Sequence, residues 1–237
     1  LAVLGDAFAG GGGVFAGPVL LLSGAPPVAA LATNKLQGTF GAATATLAYA
    51  RAGQVRLADQ WSMALVAAWA GAGGALIAHQ VPADVLRLIM PVVLVAIAAF
   101  FALKPGLTDA DRVQRMAPGL FTVTAVPLIA AYDGFFGPGT GSFFMLAFVM
   151  LAGFGVLKAT AHTKLLNFAS NLGSLVVFAL GGAIWWKLGL AMAVAQVAGA
   201  ALGARLAMRV GARLIKPLLV VTSSALAARL IWQVWAA

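Results

Sequence analysis

Ionisable and amide side chains lie inside otherwise apolar sequence at two places in this chain, and their types suit the capture of an anion. In Ala159-Thr160-Ala161-His162-Thr163-Lys164-Leu165-Leu166-Asn167, the residues Lys164, Asn167 and Asn171 recur at i, i+3 and i+7, so a helix carries all three on one face. A lysine supplies a point charge with three N–H donors, and each asparagine supplies two more. None of these belongs in lipid without a partner or a task. Upstream stand Asp133 and the loop Gly137-Pro138-Gly139-Thr140-Gly141, which cannot continue an α-helix because glycine is conformationally loose and proline lacks the N–H. A glycine loop that begins a helix presents unpaired amides and the positive end of the dipole, which makes Gly139, Thr140, Gly141 and Ser142 candidate anion ligands. The bland alternative is that the glycines only let helices pack closely and the asparagines only bridge them.

The same arrangement occurs earlier, from Asp6 through Gly10-Gly11-Gly12-Gly13 to Thr33-Asn34-Lys35-Leu36. Aligning Lys35 with Lys164 also pairs Gly53 with Gly182, Gly74 with Gly203, Val81 with Val210 and Arg87 with Lys216, without a gap after the lysines. This is an internal repeat at an offset of 129, and it adds Lys35, Asn34, Gly12 and Gly13 to the candidate substrate ligands. The copies are unequal, since Asn167 and Asn171 correspond to Gly38 and Ala42, so the second copy is expected to contact substrate and the first to pack tightly. Each lysine lies roughly 10–12 Å from the start of its apolar segment by helical rise, too deep for snorkelling alone to reach water. A lysine at such depth costs about 2.5–3.5 kcal/mol on insertion scales. Asp133 and Asp6 either pair with the lysines, which would cancel the charge offered to an anion, or take up protons that couple transport to a gradient. His162 is a third proton-coupling candidate, because imidazole titrates near neutrality.

The elements that position these residues are membrane helices. Hydrophobic residues make up 62% of the 237-residue chain and charged residues 9%, against roughly a quarter charged in ordinary soluble proteins. Mean hydropathy is +1.01, the apolar runs are rich in Ala, Leu, Val and Gly, and strand-like alternation is missing, so an all-α integral membrane fold is expected rather than a barrel. With zero cysteines there are no thiolate metal sites, and His79 and His162 share no ligand spacing, so neither metal nor cofactor is expected. The net charge of +9 would suggest nucleic acid in a soluble protein, but here the basic residues collect at helix ends, as the positive-inside rule requires. Leu1 already lies in an apolar stretch before the first glycine loop, so the sequence is expected to begin part-way through a segment, with no cleavable signal.

Apolar segments run at about 14–23, 27–50, 59–79, 84–103, 117–132, 138–153, 157–181, 185–207 and 212–234. The polar stretch KPGLTDADRVQR separates the copies, giving a first transmembrane repeat over 1–103, a linker over 104–115 and a second repeat over 116–237. If 117–132 and 138–153 form a pair that goes in and comes back, one side receives Arg51, Arg56, Lys104, Arg112, Arg115, Lys158, Arg205, Arg209, Arg213 and Lys216. The other receives little more than Arg87, Lys187 and Arg229. The first side is therefore cytoplasmic and the two copies are inverted, an architecture typical of secondary transporters. The two short segments are about 24 Å each as helix, less than the ~30 Å hydrocarbon core, and are expected to form a hairpin with its glycine loop at depth.

At these residues the chain resembles the sulfite exporter TauE/SafE family of bacterial membrane permeases. DGFFGPGTGSF, ATAHTKLLNFASN and the first-copy GGGG, proline and ALATNKLQG carry the resemblance, which covers nearly the whole chain. It implies a multi-pass protein of the bacterial inner membrane that moves sulfite, a sulfonate or a similar small organosulfur anion; the buried carboxylates add the expectation of coupling to an ion or proton gradient. The expected partners are that anion and the lipid bilayer, with no nucleic acid and with a homodimer left open. A passive anion channel remains an alternative. An intramembrane enzyme using Asp133 and His162 is the rival from another class, against which stand the lack of a zincin motif, a nucleophile elbow or a serine–lysine arrangement.

Overall fold

The computed structural model describes residues 16–17, 19–21, 23–82, 84–85 and 109–210. Asp6, Gly12, Gly13, most of the segment at 84–103 and all of that at 212–234 lie outside the described residues. The α-helices described from end to end are α1 Pro27–Arg51, α2 Trp61–Gln80, α3 Pro118–Val123, α4 Ala125–Phe135, α5 Thr140–Met150, α6 Val156–Leu180 and α7 Trp186–Val210. No strand occurs among the described residues, and α2, α6 and α7 are each long and apolar enough to cross a membrane. The protein is an all-α integral membrane protein.

Local chemistry sets the boundaries. Pro27 opens α1, where a missing N–H costs nothing, and Gly53 follows its last turn at φ +72°, a left-handed position that suits glycine. The segment expected at 117–132 is two helices rather than one. Pro127 cannot donate to the carbonyl of Val123 and its ring crowds that carbonyl, so the helix breaks at Thr124, whose amide and hydroxyl both turn back to Leu120 O, at 3.0 and 2.6 Å. The 11 residues of α5 span about 16 Å, half of a hydrocarbon core.

Two buried clusters mark the ends of the bundle. Tyr49 and Val55 at the end of α1 share one with Phe121, Val149, Val156 and Ala207; Leu31 and Leu36 near the start of α1 share the other with Ala78, Phe136, Phe178 and Ile184. Helices α1 and α6 therefore run antiparallel, while α7 lies beside α1 and α2 beside α6. The first end also receives Arg51, Arg56, Arg112, Arg115, Lys158, Arg205 and Arg209, whereas the described part of the second end has Lys187. The stretch 109–116 is docked at the basic end: Arg112 N and Arg115 N donate to Gly153 O and Leu151 O, and the Asp111 carboxylate receives Gly155 N at 2.6 Å and lies 3.3 Å from Lys158 Nζ.

Small residues let α2, α4 and α6 approach backbone to backbone. A Cβ on Gly71 would strike Ser170 O, one on Gly74 would strike Ala131 O, and one on Gly173 would strike Ala68 O. Van der Waals packing of this closeness holds membrane helices together where lipid gives no hydrophobic drive.

Candidate functional site

Polar residues of α1, α4 and α6 meet inside the bundle. Lys35 and Lys164 are each only 2% exposed, and Asn34, Asn167, Asn171, Asp133, Thr140 and Ser142 are buried with them. The Lys35 ammonium lies 2.7 Å from Asp133 Oδ1, and Ser170 Oγ donates to Asp133 Oδ2 at 2.5 Å. The lysine of the first half is thus paired with the aspartate of the second. Asp133 reaches this position because α4 packs on α2 through Gly134, whose Cβ would overlap Gly71 O. Gly137, at φ +91°, turns the chain directly after α4, and a side chain there would sit 3.2 Å from Lys35 Nζ.

The polar face of α6 continues on both sides of Ser170. Asn171 Nδ2 donates to Asn167 O at 2.7 Å, and its side chain faces Gly38 of α1, where a Cβ would lie 3.6 Å away. Ser174 Oγ donates to Gly71 O and to Ser170 O. Thr163 Oγ1 and Asn167 Oδ1, one helical turn apart, are buried without a hydrogen-bond partner among the described residues. A buried polar atom in that state costs about 1–3 kcal/mol; the Thr163 hydroxyl can donate to an anion, whereas Asn167 Oδ1 can only accept and needs a donor instead. On α1, Asn34 Oδ1 receives Gln37 Nε2 at 2.8 Å.

The glycine loop is narrower as a donor set than its sequence implies. Gly139 caps α5 at φ +81°, and the Thr140 and Ser142 amides donate to Gly137 O and Gly139 O at 3.2 and 2.9 Å. Among the described residues no acceptor is found for the Gly139 and Gly141 amides. His162 lies apart from Asp133, held by Gln60 Nε2 at its Nδ1 and by the rings of Phe148 and Phe154 at 5.5 and 4.8 Å. Asp6, Gly12 and Gly13 lie outside the described residues; of the other candidates, the structure brings Lys35 of the first half to Asp133 of the second and sets Asn171 against α1 at Gly38. Ser170 and Thr163 do not stand out in the sequence, and Gly137 stands out there only as part of the helix-breaking loop. Ser170 and Ser174, hydroxyls four apart in an apolar helix and continuing the Asn167 face, were the available signal.

A model of the family described as sulfite exporter TauE/SafE matches residues 1–230. The chain belongs to that family. Similar proteins include the probable membrane transporter protein ORF9 of a Sinorhizobium species, 58% identical over 95% of this chain and 87% of its own length. The probable membrane transporter protein YfcA of Escherichia coli K12 is 44% identical over 96% of this chain and 85% of its own, and a probable membrane transporter protein of Haemophilus influenzae is 42% identical over 96% and 89%. No solved structure matches. This TauE/SafE chain is accordingly a multi-pass protein of a membrane transporter family, and its buried lysines and amides have to be explained as parts of a transporter.

Proposed function

We propose that the chain is a secondary transporter of the bacterial inner membrane for a small sulfur oxyanion or organosulfonate, driven by an ion or proton gradient, and that it performs no chemical conversion. The observation that carries this reading is the set of polar residues buried on the packed helices α1, α4 and α6, with Lys35 paired to Asp133 and Asn171 facing α1 at Gly38; to these the reading assigns Thr163, Lys164 and Asn167 on α6, Asn34 on α1 and the Gly139 and Gly141 amides of the half-helix α5 as further ligands. A sulfonate or sulfite oxygen that sheds water needs several fixed donors around one positive charge, which is what these groups offer.

The two halves, 1–103 and 116–237 about a linker at 104–115, act as inverted repeats in this reading. Supporting it, α6 occupies the bounds of α1 shifted by 129 places, the left-handed glycines Gly24 and Gly53 recur as Gly153 and Gly182, and α1 and α6 run in opposite directions. Interrupted helices at the centre of such a pair are where alternating access is gated.

Uptake into proteoliposomes tests the function. Radiolabelled sulfite and methanesulfonate are offered under an imposed proton or sodium gradient, and concentrative uptake of either, with the solute recovered unchanged, is the expected result. Flux that only runs downhill with a sustained current would make the protein a channel, and an altered solute would make it an enzyme.

A further inference from the structure

The Lys35–Asp133 pair joins α1 to α4 across the two halves, with its charges 2.7 Å apart and the side chains 2% and 3% exposed. Left as it stands, it offers an anion nothing. An anion arriving at Lys35 would face the Asp133 carboxylate at the same ammonium, giving two negative charges to one positive charge in a place with little water. Removing the negative charge of Asp133 without supplying an anion is equally unfavourable, because the lysine is then buried alone.

Resting on the transporter reading above, we propose that Asp133 carries the coupling proton: one proton on its carboxylate releases Lys35 to one substrate anion, and the two cross the membrane together. The proton comes from water on the open side and forms an O–H bond at Asp133 Oδ1, the oxygen that faces Lys35. The other oxygen keeps the hydrogen bond from Ser170 Oγ, which holds the acid in place once its ion pair is broken. The ammonium is then free to turn to the anion. The empty site, Lys35 with ionised Asp133, and the loaded site, Lys35 with protonated Asp133 and a monovalent anion, carry the same net charge of zero. Both neutral forms can reorient at low cost, whereas a site holding proton or anion alone is charged and is held back. This is the condition for coupled rather than leaky movement.

No other described titratable group competes for the role. On the elements packed around α4, α3 and α5 carry none, and the described groups are His79 on α2 and Lys158, His162 and Lys164 on α6. His79 lies against Phe178, Lys158 and His162 lie with Phe154 at the basic end, and Lys164 takes part in an interaction of its own. Tyr132, next to Asp133, donates its hydroxyl to Pro138 O. The left-handed turn at Gly137 leaves the lysine tip unobstructed by any side chain at that position.

The test uses the full chain in proteoliposomes with a pH-sensitive dye inside and methanesulfonate as probe, an anion that carries no proton of its own in this pH range. Wild type is expected to acidify the lumen as methanesulfonate enters, and its affinity should rise about tenfold per unit fall in pH, the slope of one proton bound per anion. Asp133→Asn should abolish the acidification and flatten that slope, while Asp133→Glu keeps both. Methanesulfonate uptake by wild type without acidification overturns the proposal and leaves the transporter reading standing. Acidification that persists in Asp133→Asn overturns it too, by placing the proton elsewhere. If wild type moves neither methanesulfonate nor sulfite, the transporter reading fails and the proposal with it. Should Asp133→Asn not fold, the wild-type pH slope and the lumenal signal still decide.

Discussion

Thr33 and His162, 129 positions apart, make corresponding contacts in opposite directions: Thr33 Oγ1 on α1 accepts the Trp185 amide at 3.1 Å just before α7, and His162 Nδ1 on α6 meets Gln60 Nε2 just before α2. Each long helix thus holds the entry to the helix that follows the other one. This exchange is the pattern that the proposed inverted repeat would produce.

Orientation can be checked by labelling. Val113 is 85% exposed in the docked linker at the basic end, and Lys187 is exposed at the other end. A single cysteine at Val113 is expected to react with an impermeant reagent only from the cytoplasmic side, and one at Lys187 only from the periplasm. Labelling of position 113 from the periplasm would reverse the topology.

The Lys35–Asp133 pair has a stability signature separate from its transport role. Lys35→Ala leaves a carboxylate buried without its partner and should cost about 3–5 kcal/mol. Lys35→Ala with Asp133→Ala removes both charges, so the double variant should regain a large part of that loss. Thermal unfolding in detergent measures it, and equal destabilisation of the single and double variants would mean that the pair is not the source.

How far the sequence revealed this arrangement can be seen at three places. The long helices and the polar face of α6 followed directly from hydropathy and the i, i+3, i+7 spacing, because both are local properties. The break at Thr124 was missed although Pro127 announced it; the apolar run continued unbroken and composition masked the missing donor. That Asp133 meets Lys35 could not be placed from spacing, because it requires knowing that glycines at 71 and 134 bring α4 against α2, which depends on tertiary packing.

Asp111 makes the linker dock pH-dependent. The Gly155 amide, and then Lys158, hold its carboxyl below the ordinary carboxylate range. A carboxyl with a lowered folded value stabilises above its unfolded value, near 3.8, and loses that contribution as pH falls through the folded one. The protection of the Gly155 amide against hydrogen exchange, corrected for its intrinsic rate, should therefore be steady from pH 7 to 5 and drop below about pH 4. Asp111→Ala should show the low protection at every pH. Protection that ignored both changes would remove the carboxylate from the dock.

Gly139 and Gly141 separate backbone strain from ligand contact. Gly139 sits at φ +81°, where any Cβ meets the following carbonyl, so Gly139→Ala should lower stability by about 1–2 kcal/mol as well as disturb the amide it presents. Gly141 is buried in the first turn of α5, where alanine is the better helix former, so Gly141→Ala should keep its midpoint if the added methyl group meets only the space the anion uses. If the two amides face the anion, both variants weaken binding, since a methyl group at either position intrudes where a partly dehydrated oxyanion must come within hydrogen-bond distance. Gly203→Ala, buried in α7, should act through packing alone and keep wild-type affinity in whatever fraction folds. Thermal shift with methanesulfonate and sulfite reads both quantities at once: the starting midpoint reports strain, and the ligand-induced rise reports affinity. A reduced rise in Gly141→Ala at an undiminished midpoint would be the clearest support, because no loss of fold could account for it. An undiminished rise in both loop variants would move the anion to Lys164 and Asn171.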